Sequence, residues 1–159
     1  MNRFFVQLEY DGTKYHGFQK QPKTTKTIQH HLDKALAKVA NHKISTVCCG
    51  RTDAGVHAFN QFIHFDTSSF RKIDSWIKGV NTNLPDDIVV KNFYKVDKNY
   101  HARFNAASRE YLYIIKNTNI PPAIGSNNCL WIKQTLNIKR MNNAAKHLLG
   151  EKDFSAFRS

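Results

Sequence analysis

The sequence predicts an α+β chain: a ferredoxin-like β-α-β-β-α-β unit over residues 1–100, then the incomplete beginning of a second, similar unit over residues 101–159. Three observations predict it. Two-residue alternation of apolar and polar side chains marks the first segment, helical spacing of apolar residues marks later ones, and turn residues separate them. With 41% apolar and 12% aromatic residues the composition is globular rather than disordered, and 159 residues suffice for one domain or two small halves.

Arg3 to Tyr10 alternates, with Phe4, Val6, Leu8 and Tyr10 on one face and Arg3, Gln7 and Glu9 on the other, the pattern of a half-buried strand. A polar loop with Pro22 runs from Gly12 to Lys26. Ile28, Leu32, Ala35, Leu36 and Val39 then recur at helical spacing behind Thr27, a suitable N-cap, and His30 and His31 on this helix are expected to face solvent. Strands are predicted over Ile44–Cys49 and Gln61–Phe65, with a loop between them. Phe59, Phe62 and Phe65 are expected in the core, because the glycine-aromatic pattern of an RNA-recognition platform is missing around them. A second helix follows, with Phe70, Ile73, Ile77 and Val80 on one face and Ser69 near its start. Ile88–Val96 is a fourth strand, entered from the turn at Pro85. Past residue 100 the sequence predicts a strand over Tyr111–Ile115, a loop with Pro121 and Pro122, an apolar Leu130–Ile132 segment, and a helix built on Ile138, Met141, Ala145 and Leu148.

The 24 Lys and Arg against 12 Asp and Glu give a net charge of +12, which favours polyanionic partners through counterion release. The basic residues are spread along the chain, as suits a folded basic face better than a tail. Three cysteines, two of them adjacent, make a disulfide framework unsuitable, and neither they nor the eight histidines show metal-ligand spacing, so no metal is expected. No signal-peptide core and no apolar stretch near the ~20 residues needed to span a bilayer is visible, so the chain reads as cytoplasmic, with no membrane partner.

Between the second and third strands, Gly50 and Gly55 bracket one arginine, Arg51, and one carboxylate, Asp53. Glycine admits backbone angles that other residues avoid and lets another molecule approach closely, so an aspartate held between two glycines is a candidate catalytic group. The same residue type in loops also forms simple Asx turns, and the spacing alone leaves both readings open. The stretch Gly50-Arg51-Thr52-Asp53-Ala54-Gly55-Val56-His57-Ala58 resembles, nearly residue for residue, the G-R-T-D-A-G-V-H-A signature of the tRNA pseudouridine synthase A family. Five more segments are similar to that family in its order: Glu9–Gln21 to its Y-D-G and G-F/W-Q-x-Q elements, Asn81–Ile88 to N-x-N-L-P-x-D-I, His101–Ala106 to H-A-R-F-S-A, Arg109–Ile115 to R-x-Y-x-Y-x-I, and Leu149–Arg158 to G-x-x-D-F-x-S/A-F.

The resemblance implies an isomerase that converts uridine to pseudouridine in the anticodon stem-loop of tRNA, at positions 38, 39 and 40, and that works as a homodimer. Such chemistry breaks the N1–C1′ bond, turns the base and joins C5 to C1′; it adds no atoms, and no cofactor is expected. The resemblance makes Asp53 the catalytic residue, acting as a nucleophile at C1′ or as a base on the ribose, a choice the sequence leaves open. It gives Arg51 the task of contacting phosphate and filling the space that the flipped base leaves, and Tyr111 that of stacking on the target uracil. Without the resemblance, alternating aromatics such as Tyr111 and Tyr113 would read as cross-strand packing. Lys14, Lys20, Arg103 and Arg109 are weaker candidates for phosphate contacts, or else solvated surface charges. The other functions the sequence admits are a non-catalytic RNA-binding remnant of the family and, on the residues alone, a hydrolase-like site on an ordinary α/β domain. The family continues through a C-terminal half that completes the second unit and supplies a basic side chain to the catalytic carboxylate. Nothing here matches that half, so the chain is expected to be a fragment, a truncated product or a chain completed by another polypeptide.

Overall fold

The computed structural model describes residues 1–157; Arg158, which closes the Leu149–Arg158 segment, and Ser159 lie outside the described residues. The contacts divide the chain into two compact units, Met1–Tyr111 and the residues from Leu112 onward.

The first unit runs β1 (Asn2–Tyr10), α1 (Ile28–Ala40), β2 (Val47–Cys48), β3 (Ala58–Thr67), α2 (Ile73–Asn81) and β4 (Ile88–Val96). Its sheet has the order β2-β3-β1-β4 with every pair antiparallel, which is the predicted ferredoxin-like arrangement. The alternation in β1 does what the pattern requires: Phe4, Val6, Leu8 and Tyr10 are all buried. Their partners across the ladders, Phe65 opposite Phe4 and both Ile63 and Phe93 opposite Val6, extend the same apolar face. Phe4, Phe65, Trp76 and Phe93 pack with ring centroids 5.6–6.3 Å apart, in a mix of stacked, tilted and edge-on geometries. α1 adds Ile28, Leu32, Ala35 and Leu36 to this core, with the Thr27 side chain accepting from the His30 N–H as its N-cap.

Several elements differ from their predicted extent. The predicted Ile44–Cys49 strand pairs only at Val47–Cys48, because the Thr46 N–H and hydroxyl turn to the buried carboxylate of Asp33, at 3.1 and 2.6 Å, instead of to a ladder. β3 is longer than Gln61–Phe65, since β1 pairs with it all the way from Thr67 to Ala58. α2 begins at Ile73, and Phe70 is 87% exposed. The Ser69 hydroxyl and Arg71 Nε instead donate to Ala40 O and Val39 O at the end of α1, which holds this stretch out of the helix. Trp76 and Val80 form its buried face. Of the three phenylalanines expected in the core, only Phe65 is buried. Phe62 lies on the other face of β3, 6.4 Å from the Tyr94 ring, and Phe59 is 74% exposed. A spacing of three cannot keep three residues on one face of a strand. His30 and His31 are half-buried rather than solvent-facing, and the His31 ring meets Tyr15 edge-on at 5.6 Å.

Residues 101–111 group with the first unit. Ala102 is buried, and its N–H donates to Nδ1 of His64, itself buried, at 3.1 Å. Burial, with the positive charge of Arg3 nearby, lowers the His64 imidazole to about 4. A histidine lowered from 6.5 binds fewer protons folded than unfolded, so stability is complete above about pH 6.5 and falls as pH drops towards 4, by roughly 2–3 kcal/mol. His31, lowered by burial and by His30, acts with the same sign. Asp11 and Asp66 are lowered by hydrogen bonds from Thr13 and Arg3 respectively, and their share is lost only further down, in the carboxylate range. We expect His64→Asn, which keeps an acceptor for the Ala102 N–H, to flatten the unfolding free energy between pH 6.5 and 4. An unchanged slope in denaturant titrations would assign the dependence elsewhere.

In the second unit, β5 (Ile115–Asn117) and β6 (Leu130–Ile132) form a parallel pair, followed by α3 (Ile138–Ala145), with 3-10 turns at Ser126–Asn128, Lys146–Leu148 and Ser155–Phe157. The predicted strand over Tyr111–Ile115 is therefore displaced: the ladder with β6 covers Ile115–Asn117, Ile114 O accepts from the Leu130 N–H at 2.8 Å, and Tyr111–Tyr113 lie in no strand. The predicted helix is in place, with Asn137 capping the Arg140 N–H. None of the described residues of this unit is buried. No helix among the described residues is long and apolar enough to cross a membrane.

Candidate active site

The loop between β2 and β3 is held from beneath at nearly every second residue. The Cys49 N–H donates to Phe62 O at 2.8 Å, and Gln61 Nε2 donates to Gly50 O at 2.7 Å. Thr52 is gripped twice: its hydroxyl is 2.8 Å from the hydroxyl of Tyr10, and its carbonyl accepts from the Phe18 N–H at 2.9 Å. The Gly55 N–H then reaches Tyr15 O at 3.2 Å, and Nδ1 of His57 accepts from the Gly12 N–H at 3.2 Å. The segment after β1 thus forms the floor on which the loop rests. It approaches so closely that a Cβ on Gly12 would lie 2.0 Å from Val56 O. Gly55 supplies the left-handed turn, at φ 77°.

Thr52 is tied to Tyr10 and Phe18, while its neighbours Arg51 and Asp53 are both exposed. Among the described residues, neither the Asp53 carboxylate nor the Arg51 guanidinium has a hydrogen-bond or ion-pair partner. An acidic and a basic side chain are therefore presented on a rigid support, with their bonding capacity unspent. Burial pushes the Tyr10 phenol up, partly offset by its bond to Thr52, so it serves as a neutral hydroxyl anchor. Burial also pushes the Cys48 thiol up against the opposing charges of Arg51 and Arg103, which leaves it a poor nucleophile.

The other sequence candidates fall in different settings. Lys14 sits 3.3 Å from Asp87 and Lys20 sits 2.5 Å from the buried Asp33, so both belong to the floor segment and each already faces an acid. Arg103 is exposed, its guanidinium 5.7 Å from the Phe104 ring centre. Arg109 donates to the carbonyls of Cys49 and Arg103. Tyr111 is 75% exposed, two residues further on. Arg51 and Asp53 share the loop, and Arg103 and Arg109 meet at its root. The anchors Tyr10, Gln61 and Gly12 are not singled out by the sequence reading, although Tyr10 and Gly12 lie inside its Y-D-G segment. Among the described residues no three His, Cys, Asp or Glu gather as a metal-ligand set.

A sequence profile of the family described as tRNA pseudouridine synthase matches residues 7–105, which include the floor segment, the loop and the His101–Asn105 turn. Curated relatives named tRNA pseudouridine synthase A are similar along essentially the whole chain. That of Alcanivorax borkumensis is 45% identical over 159 residues, 100% of this chain and 60% of the relative. That of Aliivibrio salmonicida is 47% identical over 99% of this chain and 60% of the relative. That of Francisella philomiragia is 44% identical over 100% of this chain and 61% of its own. The chain therefore spans about three-fifths of the length of these relatives.

Proposed function

The chain belongs to the tRNA pseudouridine synthase family, and from that premise we propose that it isomerises uridine to pseudouridine in the anticodon stem-loop of tRNA, at positions 38, 39 and 40, as a homodimer. One observation carries this reading: the Asp53 carboxylate is exposed and has no partner among the described residues, in a loop tied down through Thr52 and Gly55 on either side of it. An aspartate kept only for structure would spend its oxygens on neighbouring N–H groups.

In the proposed reaction the target uridine leaves the stack, at a cost of about a few kcal/mol. Tyr111 stacks on the uracil, a contact worth about 1–3 kcal/mol. Arg51 contacts phosphate and fills the space the base has left. Asp53 then acts at the sugar by one of two balanced routes. As a nucleophile it bonds to C1′ while the N1–C1′ electron pair leaves with the uracil, and C5 of the turned base later displaces it. As a base it takes a ribose proton as the same bond breaks, and returns it when C5 joins C1′; by either route C5 then gives up its hydrogen as a proton and N1 gains one. Uracil delocalises the negative charge it carries away, so one carboxylate serves where glycosidases use two.

The reading is tested by incubating the purified chain with a tRNA transcript and mapping pseudouridine. Product at the anticodon stem-loop supports it. Retained tRNA binding without product would favour the RNA-binding reading, and binding without product is the outcome that removes the catalytic one. Within the enzyme reading, Tyr111→Phe is expected to keep most activity and Tyr111→Leu to lose about tenfold or more, since only the former keeps a stacking face. Equal losses would argue against stacking. With a net charge of +12, apparent tRNA affinity should fall steeply between 50 and 200 mM salt, and a flat response would remove the electrostatic contribution.

A further inference from the structure

Arg109 differs from the other cations near the loop because its guanidinium is spent on backbone. Nη2 donates to Cys49 O at 2.8 Å and to Arg103 O at 3.1 Å, and Nε donates to Cys49 O at 3.3 Å. Gly50 makes room for this arrangement: a Cβ there would lie 3.2 Å from Nε and 3.3 Å from Cδ of Arg109. The planar fork of arginine suits two carbonyls at once, which a lysine ammonium does not match.

The placement of the two carbonyls gives the contact its significance. Cys49 O stands at the root of the loop, two residues before Arg51 and four before Asp53. On the other side, Arg109 is two residues from Tyr111, a stretch of chain that spans at most about 7 Å. Among the described residues, no strand ladder or helix holds positions 106–113. His64 and Ala102 dock the preceding turn, and after Arg103 the Arg109 side chain is the tie that returns this segment to the loop.

We propose that Arg109 is a positioning residue and not an RNA contact: by bridging the carbonyls of Cys49 and Arg103, it holds the segment that carries Tyr111 in register with the Asp53 loop. The inference rests on the proposed function for its catalytic consequence, while the strap itself is a property of the free chain.

The test uses Arg109→Ala, Gly50→Ala and their combination in the full chain, with three readouts. Amide hydrogen exchange of the free chain should quicken in residues 49–55 and 103–111 for each variant, while β1 and β3 keep their protection and so report an intact fold. The salt dependence of tRNA binding should keep its slope, because no phosphate contact is removed. Turnover at saturating tRNA should fall about 10²-fold, as expected when reacting groups are misplaced by about an ångström. The double variant should be little worse than Arg109→Ala, since Gly50→Ala acts only by crowding the Arg109 side chain that the other substitution removes. Unchanged exchange in the two segments overturns the proposal, and a salt slope shallower by about one ion would make Arg109 a phosphate contact instead. If the unaltered chain forms no pseudouridine, the proposed function fails on that result, whereas exchange and salt slope still decide the strap.

Discussion

Asp53→Asn is expected to lower pseudouridine formation in tRNA by about 10⁴-fold or more, a loss typical of removing the reacting group of an enzyme. An amide neither bonds to C1′ nor accepts a ribose proton, so both routes close together. The substitution is nearly isosteric, and the carboxylate it replaces has no partner among the described residues. Folding stability should therefore stay within about 0.5 kcal/mol, as for other exposed positions without contacts. Affinity for tRNA should hold or tighten slightly, because one negative charge beside the polyanion disappears. Activity and stability measured on one preparation separate the alternatives. Undiminished product would end Asp53's role, and loss of product together with a falling melting temperature would make the residue structural.

Gly12→Ala should have the second largest effect, although Gly12 contacts no substrate in the proposed reaction. Its Cβ would stand 2.0 Å from Val56 O and 2.6 Å from Val56 C, where ordinary contact begins near 3.4 Å, and both are backbone atoms that cannot rotate away. Either the floor or the loop must shift by about an ångström or more. The neighbouring contacts would go with it: the Gly12 N–H to His57 Nδ1 at 3.2 Å, and the Tyr10–Thr52 bond at 2.8 Å. We expect turnover to fall about 10²-fold and stability by about 2–3 kcal/mol, a drop in melting temperature of roughly 10 °C for a unit of this size. Gly55→Ala provides the contrast. Nothing lies within 4 Å of a Cβ there, and only the positive φ of 77° opposes it, at a cost of about 1–2 kcal/mol. If the two variants behave alike in thermal melts and turnover, the close packing of floor against loop is not what holds Asp53.

Much of this was legible in the chain. The alternation in β1 and the spacing along α1 are local patterns, and both elements formed with boundaries within a residue or two of those predicted. The loop around Asp53 was legible as well, since its glycines and its resemblance lie within nine consecutive positions. Less legible were elements whose limits depend on remote partners. β2 is short because Thr46 bonds to Asp33 on α1, and α2 starts late because Ser69 and Arg71 bond to the end of α1. Lys20 illustrates the same point for charge: the sequence shows a cation in a polar loop, and the fold sets it against a buried carboxylate.

The sequence by itself determined the order of elements, the ferredoxin-like class and the place of the acidic loop, because periodicity and turn chemistry are written among near neighbours. Only the tertiary structure decided what makes that loop rigid. Tyr10 meets Thr52 across 42 positions and Arg109 meets Cys49 across 60. Such bonds depend on where folding brings distant segments together, and no local pattern carries that distance.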